Sequence, residues 1–211
     1  MNNEELVNYL IVSGVLKTPR IIEAFLKIDR KYFVPDILKD KAYIDEPLPI
    51  GNNQTISQPS TVAFMLELLQ PTNTDKILDI GSGSAWTTAL LCYIAGKNGK
   101  VIGLERVDEL VKQGQKNLEK FNFYQTCKIE KAKKQIGLPN IKFDKILVSA
   151  SAEEFPKELL HQLNIGGIIV IPVRNSIIKF EKISKDNIRK SEYPGFVFVP
   201  LIISTQPGRV L

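Results

Sequence analysis

The chain has 211 residues, 44% of them hydrophobic and 24% charged, with a formal net charge of +5 and a pI near 9.1. That length supports the core of one α/β domain and is short for two, and the composition is that of a globular protein rather than a disordered one. No apolar run approaches the roughly 18 residues of a membrane span, Asn2, Asn3, Glu4 and Glu5 follow Met1 where a secretory leader would be basic and then apolar, and two isolated cysteines with one histidine make no standard zinc site. A cytoplasmic setting with Cys92 and Cys127 reduced, and no metal, is the expectation.

Apolar residues at helical spacing predict helices over 4–13 and 19–28, with Thr18-Pro19 as cap and first-turn proline. Residues 36–57 are punctuated by proline and glycine without a helical period and read as an ordered loop crossing a ligand cleft. A helix over 58–69 follows, and Thr55 and Ser57 are candidates to cap it. Strand and helix then alternate: strands over 76–80, 100–105, 126–130, 143–149 and 167–173, helices over 85–95, 107–121 and 158–163. The alternation predicts a doubly wound, mostly parallel sheet with helices on both faces. Apolar runs at 177–183 and 196–203 have no helix between them, so an antiparallel hairpin is expected at that edge.

The strand at 76–80 ends in Gly81-Ser82-Gly83-Ser84-Ala85, a turn that lets backbone lie against a ligand. Twenty residues on, the next strand ends in Glu105, where nucleoside-binding folds grip ribose hydroxyls. A dinucleotide fingerprint needs glycine at position 86, which is Trp86, so S-adenosylmethionine is the better reading. Asp79, just before the turn, reads as a brace for its amides. Trp86 reads as core, and His161, with no acid or nucleophile near it in sequence, as a packed or surface residue.

Lys128, Lys131, Lys133 and Lys134, with Glu130 among them, read as a solvated face at a sheet edge, where lysines discourage edge-to-edge pairing. No aromatic residues interleave them, so no specific nucleic-acid site is expected. A base-directed methylase would carry an Asp/Asn-Pro-Pro-aromatic motif after the strand at 143–149, and Val148-Ser149-Ala150-Ser151-Ala152 stands there instead.

Five blocks in order resemble the protein-L-isoaspartate O-methyltransferase family: residues 4–36 with Arg30, Phe33, Val34 and Pro35; PLPIGNNQTISQP at 47–59; KILDIGSGSAW at 76–86; LLHQLNIGGIIVIPV at 159–173; and FVFVPLI at 196–202. The resemblance implies a single Rossmann-like methyltransferase domain over 1–211, with a lead-in and substrate-side segment at 1–57 and a cofactor-binding core at 58–211. It implies repair methylation of isoaspartyl proteins or peptides from S-adenosylmethionine, by a monomer working without membrane or nucleic acid. Ser57 matches the family's catalytic serine, and Thr55, Ile56, Gly81, Ser82, Gly83, Glu105, Ala132 and Lys133 fall at cofactor positions. The family usually has glycine where Asn53 and Ala85 stand. Its Gly-Asp-Gly, whose aspartate accepts from the adenine amino group, is replaced by Ala132-Lys133-Lys134. Lysine has three donors and no acceptor, so the alternative is a degenerate relative that binds peptide without efficient cofactor use.

Overall fold

The structure is a computed structural model that describes residues 1–202, the Tyr124 side chain excepted. Helices α1 (Asn3–Val12), α2 (Pro19–Lys27) and α3 (Pro59–Leu69) lead in, with a hairpin of β1 (Leu48–Gly51) and β2 (Gln54–Ile56) before α3. There follow β3 (Lys76–Ile80), α4 (Trp86–Ala95), β4 (Lys100–Glu105), α5 (Asp108–Leu118), β5 (Cys127–Lys131), β6 (Phe143–Val148), α6 (Glu158–His161), β7 (Leu163–Val173), β8 (Ser176–Lys182) and β9 (Ile188–Pro194). Seven strands form one sheet in the order β5-β4-β3-β6-β7-β8-β9. β3 to β7 pair in parallel, and β8 and β9 add antiparallel.

Buried strand residues alternate between two cores, as a period of two requires. Ile77, Val101, Leu147, Val170 and Ile177 face α1 to α5, whereas Leu78, Ile102, Ile146, Ile169 and Ile178 face the other way. On that second face the cover is thin: α6 and the connections carrying Ile136, Leu138, Ile141 and Phe155 supply it. Capping follows local chemistry. Asn2 and Glu5 form a capping box on α1, and Pro19 takes the first turn of α2. Trp86 is core as expected: its Nε1 donates to the Ile28 carbonyl and its ring meets Phe25 edge-on.

Four expectations are corrected. Residues 36–57 contain a 3-10 turn at Asp36–Lys41 and the β1–β2 hairpin, whose turn places Gly51, Asn52 and Asn53 at positive φ. Asparagine tolerates that region better than most residues, so Asn53 can hold this turn without a glycine. The partner of β8 is β9 at Ile188–Pro194, an exposed polar edge strand without the apolar run that would mark it in sequence. The apolar run at 196–202 instead leaves the sheet, Phe196 stacking on Phe64 of α3 and Pro200 forming a parallel bridge with Ser151; Ile203 lies outside the described residues. Finally, Cys92 and Cys127 are not a reduced pair. α4 and the start of β5 lie on the same face, with the two Cα atoms 5.8 Å apart, and the cysteines form a disulfide.

Candidate functional site

Chain leaving the adjacent strands β3 and β6 diverges, towards β4 on one side and β7 on the other. Such a switch point opens a crevice at the strands' carboxyl ends. Gly81 and Gly83 turn there with φ of +85° and +53°, and a Cβ on Gly83 would come within 3.1 Å of Ile50 in the hairpin. Hairpin and glycine turn are therefore in direct contact. Ala85, at φ +80° and fully buried, holds the left-handed conformation that glycine would take without strain.

Glu105 is the brace of this turn. One carboxylate oxygen accepts from the Gly83 amide at 2.9 Å and the other from the Arg106 and Val107 amides at 2.7 and 2.9 Å. Three of about four lone-pair directions are engaged, which leaves one for a ligand hydroxyl. Asp79 does not brace the loop amides as expected. It is fully buried; Oδ2 accepts from Thr88 Oγ1 at 2.6 Å and Oδ1 has no partner among the described residues. Burial raises its carboxyl to about 7, the Thr88 bond opposing and nearby Glu105 adding to the rise.

Gly81, Glu105, Ala132 and Lys133 line one crevice together with Gln54 and Arg106. Its enclosed space is about 70 Å³, well under the roughly 300 Å³ of a small-molecule site. Lys133 is exposed on the rim. Ser82 and Gly83 follow Gly81 in the turn but are not among the lining residues, Ser82 being buried with its Oγ donating to the Asp79 carbonyl. Ile56 is buried in the core. Thr55 and Ser57 open instead onto a second cleft of about 290 Å³, with Ser149, Val197 and Val199.

The two cavities share a wall. Gln54, Ala150 and Pro200 line the first; their chain neighbours Thr55, Ser149 and Val199 line the second. Sequence reading found Thr55 and Ser57 but missed Gln54, Ser149 and Val199, because residues from three distant segments meet only in the fold. Neither Thr55 nor Ser57 caps α3. Asp45 Oδ1 takes the Ser60 amide at 2.8 Å, and the Ser57 hydroxyl has no hydrogen-bond partner among the described residues. The basic stretch is a solvated edge as expected, Lys128 pairing with Glu130 and Lys131 with Asp108. His161 is exposed on α6.

The family model for protein-L-isoaspartate(D-aspartate) O-methyltransferase matches residues 1–206. A protein-L-isoaspartate O-methyltransferase of Methanopyrus kandleri is 40% identical over 94% of this chain and 90% of its own length, and one of Ignicoccus hospitalis is 36% identical over 98% and 90%. A Plasmodium falciparum protein assigned to the same activity, solved with S-adenosyl-L-homocysteine, superimposes with a TM-score of 0.83 at 28% identity, covering 96% of this chain and 99% of that one. With the sequence match running through both the hairpin and the glycine turn, this chain belongs to the protein-L-isoaspartate(D-aspartate) O-methyltransferase family.

Proposed function

We propose that this chain moves a methyl group from S-adenosylmethionine to the α-carboxylate of L-isoaspartyl residues in damaged proteins or peptides. The observation that carries the reading is the shared wall: a nucleoside-side crevice and a serine-lined cleft stand back to back, as a transfer between two bound molecules needs. When bound, S-adenosylmethionine supplies an electrophilic methyl on a sulfonium. The other reactant is already a nucleophile, because a peptide carboxyl is ionised at neutral pH and needs no general base. The chain's own task is orientation and exclusion of water, which can lower a barrier by several kcal/mol.

In this reading the free Ser57 hydroxyl donates to one carboxylate oxygen and leaves the other to accept the methyl. Thr55 and Ile56 carry the backbone that separates the two reactants. Glu105 offers its remaining lone pair to a ribose hydroxyl, Gly81, Ser82 and Gly83 form the cradle, and Ala132 and Lys133 edge the adenine. The transfer leaves S-adenosylhomocysteine and a methyl ester, an activated acyl group on which the neighbouring amide nitrogen closes to a succinimide, its proton leaving with the methoxide as methanol. Water then reopens part of the succinimide to normal aspartate. The substrates are isoaspartyl proteins, and we take the working form to be a cytoplasmic monomer that needs no nucleic acid, membrane or metal; among the described residues no helix is long and apolar enough to cross a membrane.

A second reading, a relative that binds peptide but uses cofactor poorly, is favoured by Lys133 at the crevice and by the crevice's narrowness. Methyl transfer to a synthetic isoaspartyl peptide and to its aspartyl twin, with calorimetry on S-adenosylmethionine, separates the two. Transfer to the isoaspartyl peptide alone is expected. Cofactor binding without transfer to either peptide would sink the repair reading, and neither binding nor transfer by the folded protein would favour the second.

A further inference from the structure

Arg30 is completely buried, and every hydrogen bond it makes goes to a backbone carbonyl. Nη1 donates to Ala42 and Ile44 at 2.8 and 3.2 Å; Nη2 donates to Glu46 at 2.9 Å and to Ser57 at 3.1 Å. Three of these carbonyls belong to one short strap, residues 42–46, and the fourth to Ser57, which lines the second cleft. Two side chains of the strap are held as well. Tyr43 donates its hydroxyl to Asp29 at 2.9 Å, and Asp45 accepts from the Ser60 amide at 2.8 Å and the Gln58 side chain at 3.3 Å. Ser57 is thus held on both sides, by Arg30 at its own carbonyl and by Asp45 three residues on.

Packing alone does not call for such a residue. A buried guanidinium carries a desolvation cost that methionine or leucine would not, and here burial has lowered it from 12.5 to about 10, with Asp45 opposing. The charge stays on at neutral pH, and four of its five donors are spent on fixing backbone. We propose that Arg30, acting through the 42–46 strap and Asp45, is a positioning residue that sets where the Ser57 hydroxyl stands relative to the crevice. The inference rests on the methyl-transfer reading for the consequence of that placement, and on geometry alone for the placement.

The test uses the whole protein with Arg30→Lys and, because that variant can lose folding as well as placement, Asp45→Ala, which leaves the guanidinium and its carbonyl partners in place. Lysine has three donors for four carbonyls. Each folded variant should lose about tenfold to a hundredfold in kcat on the isoaspartyl peptide, the scale of an ångström of misplacement, with the S-adenosylmethionine Kd within twofold of wild type. The double variant should lose little more than the worse single, since both act through one strap. Amide exchange at Ser60 should quicken about tenfold or more in Arg30→Lys while amides in the middle of α3 hold their rates. Unchanged kcat in both folded variants, or unchanged exchange at Ser60 in Arg30→Lys, would overturn the proposal. Wild-type turnover, run in parallel, tests the methyl-transfer reading separately, and the exchange measurement stands whatever that result is.

Discussion

Lys133 sits on the crevice rim with Arg106, at the position where the family resemblance implies an acceptor for the adenine amino group. A lysine there presents donors to a donor. Lys133→Asp should tighten S-adenosylmethionine binding about fivefold, corresponding to one recovered hydrogen bond of about 1 kcal/mol. Calorimetry reads the change directly, and a loss of affinity would mean that the ammonium itself contacts the ligand. The sequence made this departure visible because it lies in a short motif at a fixed distance from Gly137. It hid the true duties of the two acids. Asp79 read as the brace of the turn and Glu105 as a ribose contact, yet only the fold shows that Glu105 holds the Gly83 amide from 22 residues away while Asp79 turns into the core.

At the scale of elements, the Cys92–Cys127 bridge ties α4 to edge strand β5 across a separation of 35 residues. Closing a loop of that length stabilises the fold by about 3–4 kcal/mol in the chain-entropy account. Unfolding in denaturant with and without a thiol reductant should therefore show a lower midpoint for the reduced protein. A thiol titration of the native protein should find no free thiol; two titrating thiols would contradict the bridge. Nothing in the spacing of Cys92 and Cys127 announced this pairing, because it depends on α4 packing beside β5, with β4 and α5 between them in the chain. The helices and inner strands were legible, since their apolar residues repeat at 3.6 or 2. β9 was not: it is an edge strand, alternately exposed, with Arg189, Lys190 and Glu192 in place of an apolar signal. The run at 196–202 carried that signal instead, because Phe196 and Phe198 pack on the core without joining the ladder.

For the molecule as a whole, buried Asp79 makes stability depend on pH. Its carboxyl titrates near 7 in the folded chain against 3.8 when exposed, so the native state holds an extra proton between those values. The stabilisation is complete below about pH 4 and is lost as pH rises through about 7, by roughly 1.4 kcal/mol per unit. Asp79→Asn should remove that slope, and the variant should exceed wild type in unfolding free energy at pH 8; parallel pH profiles for the two proteins would refute the burial account. The sequence by itself determined the chain order of the inner strands and helices, the glycine turn and the family blocks, because each is written in residues adjacent along the chain. Only the tertiary structure decided that Gln54, Ala150 and Pro200 stand back to back with Thr55, Ser149 and Val199, that Arg30 reaches the Ser57 carbonyl, and that two cysteines meet. Those contacts join segments tens of residues apart, and their partners are fixed by how helices and strands pack rather than by any local pattern.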